Sequence, residues 1–89
     1  MINRIYKDIT RMRKHFGWDK TDTKAFLVEA CLEEAKELKD ALNEDEASFK
    51  SELADVLTYA LAICMDEGYD LETIIHDKIE TVMKRDYEV

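Results

Sequence analysis

Two pairs of carboxylates in this chain stand three residues apart: Glu34 with Glu37, and Glu52 with Asp55. Glu33 directly precedes the first pair. Residues three apart share a face of an α-helix, so each pair would present two oxygen donors side by side. Two such pairs facing each other would be costly, because neighbouring carboxylates raise each other's pKa. A hard divalent cation resolves the conflict. Mg²⁺ takes carboxylate oxygens and keeps positions open for water and substrate phosphates, and Mn²⁺ suits the same oxygen donors. Two helices that each give one pair could hold one or two such ions. Soft-metal chemistry fits poorly, because Cys31, Cys64, His15 and His76 are not at ligand spacing. A di-iron carboxylate bundle requires Glu three residues before each ligating His, and those positions hold Met12 and Thr73.

Apolar spacing defines the elements that must position these groups. Ile2, Ile5, Ile9, Met12 and Phe16 predict a first helix from about residue 2 to 16, which Gly17 ends. A connector from Trp18 to Asp22 follows, with Thr21 or Asp22 as the cap of the next helix. That second helix spans roughly 23–42, with Leu27, Ala30, Cys31, Leu38, Ala41 and Leu42 inward. A polar break over 43–47 precedes a third helix over about 48–67. Its inward residues are Phe49, Leu53, Val56, Leu57, Ala60, Leu61 and Cys64, and Gly68 stops it. Asp70 caps a fourth helix over about 71–87, with Leu71, Ile74, Ile75, Ile79 and Val82 inward. Four amphipathic helices with short connections predict an all-α, four-helix antiparallel bundle protomer. The 89 residues make one domain, 1–89. So small a core makes a homodimer or homotetramer the expected form.

At about 100° per residue, most charges fall on solvent faces, and a few do not. Glu34 lies inside the apolar stripe of its helix, between Cys31 and Leu38, with Glu37 at the edge and Glu33 beyond it. Glu52 lies at the edge of the next stripe, and Asp55 and Tyr59 share its side. Lys78 falls within the stripe of the last helix, and Arg85 points the same way. A buried Glu34–Lys78 ion pair would explain one inward charge of each sign. Two carboxylate pairs on adjacent helices, with two inward cations, speak for a site.

Composition narrows the partner. There are 13 Lys and Arg against 21 Asp and Glu, a formal net charge of −8. That balance argues against gripping a nucleic-acid backbone or an anionic membrane. It does not oppose a small polyanion if a cation stands between. Hydrophobic residues make up 46% of the chain, too many for a disordered one. The chain holds no Pro and only Gly17 and Gly68, too little turn punctuation for a sheet fold. The longest apolar run, Ala60 to Met65, is far short of a membrane span, and the first ten residues lack the apolar core of a signal peptide. Two cysteines outside any paired motif fit a cytoplasmic location.

The run Glu33-Glu34-Ala35-Lys36-Glu37, then fourteen residues, then Glu52-Leu53-Ala54-Asp55 resembles the EExxE…ExxD signature of MazG-type all-α nucleoside triphosphate pyrophosphohydrolases. The stretch from Phe16 to Thr23 resembles the WDxxQT segment that precedes the signature there, with Asp22 where relatives often carry Gln. The stretch from Lys78 through Arg85 to Tyr87 resembles the family's closing segment, with Val82 near a position where relatives often carry Asn. The resemblance spans about residues 16–87.

It implies an Mg²⁺-dependent enzyme that hydrolyses a nucleoside triphosphate to the monophosphate and pyrophosphate. Carried over residue by residue, it makes Glu34, Glu37, Glu52 and Asp55 the metal ligands. Glu37 becomes the first candidate general base and Glu33 the second. Lys78 and Arg85 would meet the phosphates. Trp18 and Tyr59 are candidate contacts to the base or sugar, against the plainer role of packing residues. The rival from another class is a non-catalytic acidic helical dimer that binds a nucleotide or a protein.

Overall fold

The computed structural model describes residues 1–85 of the chain, all of whose regular structure is helical. Five α-helices follow one another: α1 (Ile2–Phe16), α2 (Trp18–Thr21), α3 (Lys24–Asp40), α4 (Glu46–Glu67) and α5 (Leu71–Arg85), with a 3₁₀ turn over Ala41–Asn43. The predicted closing residue Tyr87 lies outside the described residues.

Local chemistry sets the boundaries. Gly17 and Gly68 take φ of 74° and 71°, the left-handed conformation that lets a chain turn back on the last carbonyls of a helix. The predicted connector 18–22 contains the single turn α2. The cap of α3 is Thr23, not Thr21 or Asp22. Its extended backbone (φ −89°, ψ 165°) lets Oγ1 accept the Phe26 N–H at 3.1 Å. Asp45 accepts the Ser48 N–H at 2.8 Å, so α4 begins at Glu46, two residues before the sequence expectation. Asp70 accepts the Thr73 N–H at 3.1 Å, as expected. The second predicted helix stops at Asp40, because Ala41–Asn43 tighten into the 3₁₀ turn.

Helices α3 and α4 form the main packed pair. The Cys31 thiol meets the Val56 carbonyl at 3.7 Å, and Glu37 lies near Glu52. Rising numbers on α3 thus face falling numbers on α4, which makes the pair antiparallel. Helix α1 lies on α4, held by the Arg13 guanidinium, whose two terminal nitrogens each donate to an Asp66 carboxylate oxygen at 2.9 Å. Among the described residues the buried apolar side chains are few: Ile9, Leu27, Ala41, Ala62 and Cys64.

Here the structure departs from the predicted bundle. Helix α5 has no buried residue. Ile74, Ile75, Ile79 and Val82, expected inward, are 43–53% exposed, and only Leu71 is half-buried. Phe16 and Leu42 also lie outside the core. Periodicity finds the apolar side of a helix but not its cover, and among the described residues that cover is absent. A second uncovered surface lies on the α3/α4 pair. Val28 and Leu32 are exposed on α3, and Leu53 and Leu57 on α4. By helical angle these fall opposite the carboxylates on each helix, and in an antiparallel pair the two flanks look the same way.

Candidate metal centre and adjoining recess

The α3/α4 pairing turns two separate sequence motifs into one cluster. Glu34 and Glu37, one turn apart on α3, meet Glu52 of α4, and one carboxylate oxygen from each lies within 4.8 Å of the others. Asp55, one turn along α4, is exposed and stands outside that grouping. Its charge nonetheless reaches both Glu34 and Glu52. Three of the four predicted ligands are therefore brought together, and the fourth stands beside them.

The cluster carries the signature of unmet charge. Burial pushes the Glu34 carboxyl up to about 7, helped by Glu37 beside it and by the charges of Asp55 and Glu52. Glu52 is raised for the same reasons, burial first and Glu37 next. Oε2 of Glu34 and Oε2 of Glu52 are both buried and lack a hydrogen-bond partner. Among the described residues no cation pairs with any of the four carboxylates. Lys36 bonds to Glu33 at 3.7 Å, Arg11 to Asp8, and Arg13 to Asp66. Orphaned, desolvated carboxylate oxygens are the donor set of a hard divalent cation, and the residues fit one.

The other predicted residues divide. Glu33 points to the solvent side, where it pairs with Lys36. Lys78 and Arg85 lie on the exposed α5 and enter no ion pair among the described residues, so the alternative Glu34–Lys78 pair does not form there. Trp18 and Tyr59 do come together. They line a recess of about 230 Å³ whose apolar surface is Met12, Leu27 and Ala62, and whose polar groups include Asp55. Asp55 is thus shared between the recess and the carboxylates. The Trp18 ring stacks on Phe16 at 4.6 Å and 20°. Tyr59 is half-buried, and burial and then Glu34 raise its hydroxyl pKa.

Sequence reasoning missed Arg13. It is 4% exposed, lines the recess and is held in place by Asp66. Asp66 draws its carboxyl below the usual range from this contact. The signal was present: Arg13 follows Ile9 by one turn, within the apolar stripe of α1. Cys31 has its thiol raised by burial and, with Cys64, acts as a small core residue.

The family model of the MazG nucleotide pyrophosphohydrolase domain matches residues 22–89, which includes both carboxylate pairs and α5 but not Arg13 or Trp18. No curated protein and no solved structure matches the chain significantly. A family match over more than half the chain coincides with three grouped carboxylates on its two central helices, and the chain belongs to the MazG nucleotide pyrophosphohydrolase family.

Proposed function

We propose that this protein is an Mg²⁺-dependent nucleoside triphosphate pyrophosphohydrolase, which converts a (d)NTP and water to the (d)NMP and pyrophosphate. The observation that carries the reading is the cluster of Glu34, Glu37 and Glu52, with two buried orphan oxygens, beside a recess with an aromatic wall. Family membership supplies the class of reaction.

Glu34, Glu37, Glu52 and Asp55 would hold the metal, with Mn²⁺ as a substitute. When bound, the ion neutralises triphosphate charge and lowers the pKa of water. Water attacks the α-phosphorus, and the bond from that phosphorus to the oxygen bridging to the β-phosphate breaks. Pyrophosphate leaves with that oxygen. Glu37 would take the proton from water. Glu33, turned toward Lys36, is the weaker candidate. The recess is smaller than the roughly 300–1,000 Å³ of sites for whole drug-sized ligands. It suits one ring system, with Trp18 and Tyr59 against a base or sugar and the phosphates outside it at the carboxylates. Lys78 and Arg85 are the cations for those phosphates, Arg as a two-point donor and Lys as a point charge.

The exposed flank of Val28, Leu32, Leu53 and Leu57 supports a homodimer or homotetramer. No described helix is long and apolar enough to cross a membrane, and a cytoplasmic enzyme acting on free nucleotides is the location that suits this chemistry.

The test is pyrophosphate release across a panel of canonical and modified (d)NTPs, with and without Mg²⁺. Turnover should appear for some member, require the metal, and fall by at least about a hundredfold in Glu52→Gln, in line with the loss of a metal ligand or its support. A folded wild-type protein that releases no pyrophosphate from any member would leave the binding-module reading in its place.

A further inference from the structure

Helix α1 is basic in an acidic chain. It holds five cations, Arg4, Lys7, Arg11, Arg13 and Lys14, and one carboxylate, Asp8, although the whole chain carries −8. Arg13 is turned inward, where Asp66 holds it. At about 100° per residue the other four fall on one stripe. Solvation is the ordinary state of such a stripe, but the two cations at its middle, Lys7 and Arg11, also edge a cavity.

That cavity of about 610 Å³ lies between α1 and the end of α4. Tyr6, Lys7, Thr10 and Arg11 line it from α1, and Met65 and Tyr69 from the other side. It shares no lining residue with the recess at Trp18 and Tyr59. Cys64, which also lines it, stands twelve residues beyond Glu52 on α4, about 18 Å along the axis at roughly 1.5 Å per residue.

Its chemistry suits an anion that carries a ring. No acidic residue lines it, and the side chains of Lys7, Arg11, Thr10, Tyr6 and Tyr69 can all donate hydrogen bonds. Lys7 enters no ion pair among the described residues, and Arg11 reaches Asp8 only at 3.6 Å, too long for a hydrogen bond. Tyr6 Oη is buried without a hydrogen-bond partner. Burial first, then Cys64 and Asp70, raises its pKa, so it keeps the proton it would donate. Tyr69 is 45% exposed and leaves a ring face open, and Met65 adds a polarizable apolar surface. Asp70 and Glu72 line a neighbouring hollow that shares both tyrosines. Negative charge is therefore unwelcome on that side, and a phosphate belongs at the α1 edge. A phosphate monoester carries about −1.5 to −2 charge, which two cations match. The volume lies in the roughly 300–1,000 Å³ range of sites for whole small molecules.

We propose that this cavity is a second nucleotide site, which takes a nucleoside monophosphate with its ring against Tyr6 and Tyr69 and its phosphate at Lys7 and Arg11. With no carboxylate in its lining, the site binds and does not cleave. It does not rest on the pyrophosphohydrolase reading, although the product of that reaction has the same chemistry. Helix α1 also gives Met12 and Arg13 to the recess, so one helix borders both ligands.

The probes are AMP, GMP, CMP and UMP, titrated by calorimetry into the full chain in EDTA, so that no divalent ion links phosphate to the carboxylates. At least one should bind, and Lys7→Ala/Arg11→Ala should weaken it at least about tenfold. Both residues are exposed, so that variant should keep the wild-type Tm within a few degrees. Glu52→Gln and Trp18→Ala should leave the affinity unchanged. Inorganic phosphate and the parent nucleoside should each bind at least about tenfold more weakly than the nucleotide, because each meets only half of the cavity. In NMR spectra of the complex, ring protons of the ligand should lie close to the Tyr6 or Tyr69 ring and the Met65 methyl group. No binding of any of the four, undiminished binding in Lys7→Ala/Arg11→Ala, phosphate binding as tightly as the nucleotide, or ring contacts to Trp18 and Tyr59 instead would each overturn the site. None of these readouts depends on turnover, so the proposed reaction and this site fail separately.

Discussion

Arg13 and Asp66 hold α1 on α4, and the two partners differ in how much water they can reach. The Arg13 side chain is 5% exposed and that of Asp66 is 36% exposed. Removing either one breaks the same two hydrogen bonds but strands a different charge. Arg13→Met leaves a carboxylate that can hydrate, and should cost about 2 kcal/mol, below the usual range for breaking a buried pair. Asp66→Ala strands a guanidinium with far less access to water, and should cost about 3–5 kcal/mol. For a domain of this size each kcal/mol moves Tm by roughly 4–8 °C, so Arg13→Met should lower Tm by about 8–16 °C and Asp66→Ala by at least about 12 °C. The double variant Arg13→Met/Asp66→Ala should be more stable than Asp66→Ala alone, because no unpaired charge remains. The pH dependence follows from Asp66, which Arg13 holds below the usual carboxylate range. Its contribution is present above the unfolded pKa of about 3.9 and disappears as pH falls through the lower folded value. The gap between wild type and Asp66→Ala should therefore narrow below about pH 4. Urea and thermal unfolding at one protein concentration measure all four proteins, since assembly makes Tm concentration-dependent. If Asp66→Ala were the milder change, or the double variant the worst of the three, the burial asymmetry would not govern this pair.

Metal binding should appear without substrate: at about a hundredfold excess over Kd, Mg²⁺ adds about 2.7 kcal/mol. That is a Tm rise of roughly 10–20 °C, which Glu34→Gln should greatly reduce. Because Glu34 is pushed up to about 7, it keeps its proton in the folded, metal-free state over a range where the unfolded chain has lost it. Metal-free stability should therefore decline as pH rises from about 4.5 to 7, with the reference carboxylate pKa near 4.3. Calorimetry of Mg²⁺ binding should show the opposite trend, with affinity falling as pH drops below 7 and a proton released on binding; a flat affinity from pH 8 to 6 would remove Glu34 from the ligand set. Trp18→Ala should raise KM several-fold with a smaller effect on kcat if the ring contacts the base or sugar, whereas an equal loss of Tm and no change in KM would make it a packing residue.

The carboxylate site was largely readable because helical periodicity is a local property. Glu34 inside an apolar stripe, and Glu37 and Glu52 at stripe edges, require only the angle of about 100° per residue. Antiparallel pairing then brings those side chains within 4.8 Å of one another. Asp55 shows the limit of that reasoning. It has the right spacing from Glu52, yet it sits exposed and outside the closest grouping, because an edge position on one helix does not set the distance to the next. Helix caps were less readable than helix bodies: several Ser, Thr and Asp residues compete near each start, and only backbone conformation selects Thr23 and Asp45.

Residue types and their order by themselves determined the all-helical class, the helix faces and the acidic character of the site. Each of these follows from interactions within a few residues of chain. Tertiary structure alone decided which faces are covered. It made Arg13 the buried anchor of α1, because Asp66, 53 residues away, meets it. It also left the aliphatic stripe of α5 bare, although the pattern marked it for burial. The reason is physical: amphipathicity records that a face must leave water, whereas the identity of its cover depends on contacts distant in sequence, or on another copy of the chain.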